Sequence, residues 1–127
     1  MATDFALCLP TRPGTLLRVA EALGHAGINI DGACGLASDD GAVVHVIVSD
    51  AELARRTLLN AGVEICGEQP VSVLAVENRP GGAAALLRHV ADAGVSLTLL
   101  YTTLDGRLVL GSDEPARLHD ALAAATR

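Results

Sequence analysis

Aromatic residues are almost absent from this chain. Phe5 and Tyr101 are the only two, tryptophan is missing, and aromatics make up 2% of the 127 residues. A core made from this composition rests on Ala, Val, Leu and Ile. The stacking platforms that hold single-stranded nucleic acid are almost excluded, because they depend on aromatic faces. Lysine is missing as well. The nine basic residues are all arginine and face fifteen acidic ones, for a net charge of −6. No basic cluster exceeds Arg55-Arg56, so phosphate backbones and anionic membranes are repelled. Neither nucleic acid nor membrane is expected as a partner. No apolar run approaches the ~20 residues needed to span a bilayer. Met1 to Pro10 lacks the basic start and long apolar stretch of a secretion signal. Together these absences predict a cytoplasmic protein.

Catalytic and metal-binding patterns are also missing. Cys8, Cys34 and Cys66 are widely spaced, with no C-x-x-C and no Cys/His ligand spacing. An odd number cannot complete a disulfide framework, so the expectation is reduced, buried, small hydrophobes. His25, His89 and His119 fall on predicted helices, and His45 falls in a β-run, where a satisfied sheet-face histidine is the simplest reading. There is no G-x-S-x-G, no Walker loop and no H-E-x-x-H, and Gly81-Gly82 lacks the Lys-Ser/Thr of a phosphate loop. No enzyme activity, metal or cofactor is expected.

Half of the residues are hydrophobic, which excludes disorder. The length allows one ordinary domain or two very small ones. An internal repeat decides between them. Arg12-Pro13-Gly14 recurs as Arg79-Pro80-Gly81, and Ala26-Gly27-Ile28 as Ala93-Gly94-Val95, both offset by 67 positions. Ser49-Asp50 recurs as Ser112-Asp113, the offset now shorter by four. The expected units are residues 1–69 and 70–127.

Each half carries the same signals. In the first, Phe5 to Leu9 reads as a strand with Phe5, Leu7 and Leu9 on one face. Pro13 suits the first position of a helix with Leu16, Val19/Ala20 and Leu23 on its apolar stripe, ended by Gly27. Ile28 to Leu36 is extended, Asp40-Gly41 turns a hairpin, and Ala42 to Val48 is a strand apolar on both faces. Asp50 caps a helix ended by Gly62, and Val63 to Cys66 is a fourth strand. In the second half, Val71 to Val76 is a strand. Pro80 opens a helix with Ala83, Leu86/Leu87 and Val90 inward. Val95 to Thr102 and Arg107 to Leu110 flank an Asp105-Gly106 turn, and Asp113 caps a last helix with Leu118, Ala121/Leu122 and Ala125 inward. The predicted fold is therefore α+β: two ferredoxin-like βαββαβ units in tandem, the second lacking its last strand, with antiparallel sheets carrying helices on one face. A bare sheet face and an open edge predict association with a second copy, a homodimer.

Two segments have the chemistry of a small-ligand site. In Asn78-Arg79-Pro80-Gly81-Gly82, a helix N-terminus offers amide N–H groups and partial positive charge, and glycine leaves room for a carboxylate to approach. Read alone, the same turn also serves simply to start a helix. In Ala26-Gly27-Ile28-Asn29-Ile30-Asp31, a helix ends and a strand begins, with Asn29 and Asp31 on one face. Their oxygens suit an ammonium group; Asn29 can equally cap its own turn, and Asp31 can be merely solvated.

These motifs resemble the ACT domain. That family's turn is typically x-R-P-G-x-L and its helix end G-[IV]-N-[IL]. The chain carries Thr11-Arg12-Pro13-Gly14-Thr15-Leu16 with Gly27-Ile28-Asn29-Ile30, then Asn78-Arg79-Pro80-Gly81-Gly82 with Gly94-Val95-Ser96-Leu97. The resemblance covers almost the whole chain as a tandem pair. It implies a regulatory module that binds a free amino acid where the turn of one unit meets the helix end of the other. On that pattern the ligand-binding residues are Asn78, Arg79, Pro80, Gly81 and Gly82 with Asn29, Ile30 and Asp31. A second, altered site would comprise Thr11, Gly14, Thr15, Leu16 and Ser96, with Thr11 and Ser96 departing from the asparagine pattern. The alternative is a ligand-free interaction module that regulates a partner enzyme.

Overall fold

A computed structural model describes residues 1–126 of the chain. The element order is β1 (Ala2–Leu9), α1 (Thr15–His25), β2 (Ile30–Ser38), β3 (Gly41–Val48), α2 (Ala51–Asn60), β4 (Glu64–Ala75), α3 (Gly82–Asp92), β5 (Leu99–Thr102), β6 (Arg107–Gly111) and α4 (Pro115–Ala125). The chain divides into two compact units, residues 3–69 and residues 1–2 with 70–127. Both are α+β and ferredoxin-like.

In the first unit the strand order is β2-β3-β1-β4. Antiparallel pairing sets Phe5 opposite Val46 and Leu7 opposite Val44. Side chains alternate along a strand, so Phe5, Leu7 and Leu9 join Val44, Val46 and Val48 on one face. There they meet Val19 and Leu23 of α1 and Ala54 and Leu58 of α2 in a single core. Leu23, Leu58, Phe5 and Leu7 are fully buried. The helix ends follow from glycine: Gly27 adopts φ 75°, and the Ile28 N–H returns to the Leu23 carbonyl at 2.9 Å, closing the helix as a left-handed cap does. Gly62 and Gly94 repeat the device.

In the second unit the order is β4-β6-β5. Ser72 pairs with Leu110 and Leu74 with Leu108. The core gathers Leu86 and Val90 of α3, Leu110 of β6, and Leu118 and Leu122 of α4. Met1 and Ala2 belong to this unit.

Several expectations need correction. The strands expected at Val63–Cys66 and Val71–Val76 are one strand of 12 residues. Pro70 does not break it, since a residue before proline is pushed toward extended backbone and proline's own φ suits an extended chain. Pro13 and Pro80 precede their helices instead of opening them: Gly14 and Gly81 are the N-caps, in left-handed conformation at φ 90° and 85°. Ala83 lies on the exposed side of α3. Asp113 does not cap α4, whose N-cap is Glu114. Asp50 does cap α2, its carboxylate accepting from the Leu53 N–H at 3.1 Å. The cysteines are free, but Cys66 is exposed and Cys8 and Cys34 are half-buried. No helix among the described residues is long and apolar enough to cross a membrane.

Candidate functional site

The Asn78–Gly82 turn is built by its glycines. The Gly81 backbone, at φ 85° and ψ −7°, turns the chain into α3. Only glycine takes that conformation without strain. Gly82 is needed for a different reason. A Cβ there would lie 2.1 Å from the Glu77 carbonyl oxygen, so the turn closes directly onto its backbone. The Gly82 N–H donates to the Arg79 carbonyl at 3.0 Å, and the Ala85 N–H closes the helix onto the Gly81 carbonyl at 3.1 Å. Between them, the Ala83 and Ala84 amides have no intrahelical acceptor. No side chain caps α3, so these amides are the donors that an anion could take.

The turn's side chains are exposed. Arg79 is held by an ion pair between its Nε and the Glu77 carboxylate. Arg79 and Gly82 line a hollow of about 190 Å³ with Leu86 and His89. Asn78 stands exposed.

The corresponding turn of the first unit is roomier. Thr15 stands where Gly82 stands in the repeat, and its Oγ1 donates to the Pro10 carbonyl at 3.0 Å. Thr11, Thr15 and Leu16 line a hollow of about 410 Å³ together with Leu9, Ala42 and Val44. Gly14 is the left-handed N-cap, again without a side-chain cap. Ser96 follows Val95 in the segment after α3 and is exposed.

Asn29 and Asp31 are brought together by an irregularity in β2. The pairing with β3 shifts between Ile30 and Gly32, a bulge that re-aims Asp31. Asn29 Nδ2 donates to Asp31 Oδ1 at 2.7 Å. The contact leaves the Asn29 amide oxygen and the second Asp31 oxygen as acceptors on one surface. Ile30 anchors the segment by packing against the first core.

A buried pair was not visible in the sequence. Asp4 is fully buried and lies 2.7 Å from His45 Nδ1. Asp4, Ala6 and Cys8 alternate with the core residues of β1, on the face away from the helices. The pair satisfies His45 in the sheet, as expected for a histidine in a β-run. Next to it, burial and the Asp4 carboxylate push the Cys34 thiol pKa up. A hydrogen bond with Cys66, then burial, pushes Cys8 up to about 12. Both thiols therefore hold their protons at neutral pH, the opposite of an activated nucleophile. Among the described residues, no group of three or more His, Cys, Asp or Glu side chains could hold a metal ion.

The sequence matches the family described as an ACT domain pair over residues 2–125. Among solved structures it is similar to a protein of Bacteroides thetaiotaomicron, with a TM-score of 0.88 at 22% identity, covering 98% of this chain and 88% of that one. It is also similar to the ligand-free regulatory subunit of aspartate kinase from Thermus thermophilus, with a TM-score of 0.67 at 18% identity, covering 99% and 92%. The corresponding subunit from Thermus flavus matches with a TM-score of 0.62 at 17% identity, covering 98% and 92%. A search of the curated proteins found no match. Identities this low speak to the fold alone, whereas the family match spans nearly every residue, and with the repeated R-P-G turns it establishes that the chain belongs to the ACT domain pair family, a regulatory family.

Proposed function

We propose that this chain is a non-catalytic regulatory protein of the cytoplasm that binds a free amino acid and works as a homodimer. The observation that carries the reading is the α3 N-terminus, which opens on Gly81 with no side-chain cap and so offers its amides to a carboxylate. Asn78, Arg79, Pro80, Gly81 and Gly82 form that end of the site. Asn29, Ile30 and Asp31 form the other, the Asn29 and Asp31 oxygens taking the ammonium. A zwitterion held in this way needs no basic patch, which agrees with the net charge of −6. Thr11, Gly14, Thr15, Leu16 and Ser96 form a second, altered site.

Thermal unfolding against the twenty amino acids tests this. A ligand at ~100 times its Kd stabilises by about 2.7 kcal/mol, which raises Tm by several degrees in a chain of this size. We expect one or a few amino acids to do so, and Asn78→Ala and Asn29→Ala each to weaken that ligand roughly two- to tenfold, the loss of one hydrogen bond. No shift with any amino acid rejects the reading.

A second reading is a ligand-free interaction module. It is favoured by the Arg79–Glu77 ion pair and by the close approach of Gly82 to Glu77, which leave only about 190 Å³ at the turn. The same panel separates the two.

A further inference from the structure

The cysteines of this chain gather on one surface, the face of the first sheet turned away from the helices. Cys8 stands between the core residues Leu7 and Leu9 of β1, so alternation turns it to that face. Cys34 lies opposite His45, which stands between the core residues Val44 and Val46, and residues opposite one another share a face. Cys66 follows Ile65, which packs against the first core, and so points the same way. Its thiol donates to the Ala6 carbonyl of β1 at 3.3 Å and shares a hydrogen bond with the Cys8 thiol.

Strand order decides which of them can join. β1 and β4 are neighbours, whereas β3 separates β1 from β2. Neighbouring strands lie about 4.8 Å apart, which puts the strand of Cys34 roughly 10 Å from that of Cys8 and roughly 14 Å from that of Cys66. A disulfide needs Cα atoms within about 7 Å of each other. Within one chain this excludes Cys34 and leaves Cys8 and Cys66, whose thiols are already hydrogen-bonded. The two are not equivalent. Cys66 is exposed and Cys8 is half-buried, and the hydrogen bond with Cys66 is the main hold on the Cys8 proton. Cys66 is therefore the thiol that a reagent from solution meets first.

We propose that Cys8 and Cys66 form a reversible redox site, at which a low-molecular-weight disulfide oxidises the pair to a disulfide bond between β1 and β4. In the first step the Cys66 sulfur attacks one sulfur of the small disulfide. That S–S bond breaks, and the leaving thiolate takes up the proton that Cys66 gives up. In the second step the Cys8 sulfur attacks Cys66 Sγ, the mixed disulfide breaks, and the second small thiol leaves with the Cys8 proton. The mixed disulfide has by then removed the Cys66 thiol that held this proton in place. Two protein thiols are oxidised and one small disulfide is reduced to two thiols. The same steps run backwards on reduction, and Cys34 stays a thiol throughout. Neither cysteine belongs to the residues assigned to the amino-acid sites, so the redox site stands whether or not those sites bind a ligand.

Oxidised glutathione is the probe. The reduced full chain is incubated with it, unfolded, alkylated with iodoacetamide and weighed intact by mass spectrometry. One alkylated thiol is expected in place of three, with the peptides of Cys8 and Cys66 joined, and dithiothreitol should restore all three. Cys34→Ser should form the same bond. Cys8→Ser should stop at the mixed disulfide and keep one glutathione on Cys66. Cys66→Ser should form no bond and take glutathione at Cys8 at least about tenfold more slowly, as a protonated, half-buried thiol does. The proposal is overturned if three thiols remain open to alkylation, if the bond includes Cys34 or joins two chains, or if Cys8→Ser carries no glutathione.

Discussion

Gly81 and Gly82 adjoin in sequence but are glycine for different reasons. Around Gly81 there is space for a side chain; the constraint is its left-handed backbone. Gly81→Ala should therefore destabilise by about 1–2 kcal/mol, the strain of an L-residue held there. At Gly82 the constraint is space, since a Cβ would meet a backbone oxygen that a rotamer change cannot move. Gly82→Ala should lower stability by roughly 1–3 kcal/mol, as overpacking does. Urea unfolding of the two variants checks both values, and losses within about 0.5 kcal/mol of zero, as at an unconstrained surface site, would contradict them. The sequence shows that this turn wants glycine. It does not show that Gly82 faces Glu77, because that approach depends on how the turn folds back.

Among the elements, the caps separate what is local from what is not. Asp50 is read correctly from sequence because an N-cap acts on an N–H three residues ahead. Asp50→Ala should cost about 1 kcal/mol. Asp113→Ala should stay within about 0.5 kcal/mol, because Glu114 is the cap residue and the Ser112 Oγ accepts its N–H at 3.1 Å. A larger loss from Asp113→Ala than from Asp50→Ala in thermal unfolding would overturn the assignment. The error arises from the repeat itself: Ser49-Asp50 matches Ser112-Asp113 letter for letter, while strand register maps Asp50 onto Glu114. The β5–β6 turn carries a further prediction. Asp105 accepts from the Thr103 hydroxyl and from Arg107, and these hold its carboxyl below the usual 3.8. A carboxyl whose folded pKa is lowered stabilises the fold above its ordinary pKa and ceases to as the pH falls through the folded value. Protection of the Gly106 and Arg107 amides, which donate to Thr103, should hold from about pH 7 to 5 and decline only below about pH 4. Protection already falling near pH 6 would point to a different group.

At the scale of the whole molecule, the open edges set the expectation. The outermost strand of the first unit, β2, exposes Ala33, Gly35, Leu36 and Ala37, and Leu36 is 79% exposed. An edge of this kind, with unpaired backbone and few charges, invites pairing. Light scattering at micromolar concentration should give twice the 12.9 kDa of one chain, and Leu36→Lys should shift the balance toward monomer. A particle of single-chain mass in the unaltered protein would remove the basis for this expectation.

The sequence by itself determined the repeat, the order of the elements in each unit, the glycines that end three helices, the Asp50 cap and the family. All of these depend on residues a few positions apart, where periodicity and backbone preference act directly. Tertiary structure decided that β4 runs unbroken through Pro70, that Gly82 packs on Glu77, that a bulge brings Asp31 to Asn29, that Asp4 lies buried against His45, and that Cys66 meets Cys8. Each of these is settled by a group that only folding brings near: a neighbouring strand or a carbonyl across a turn.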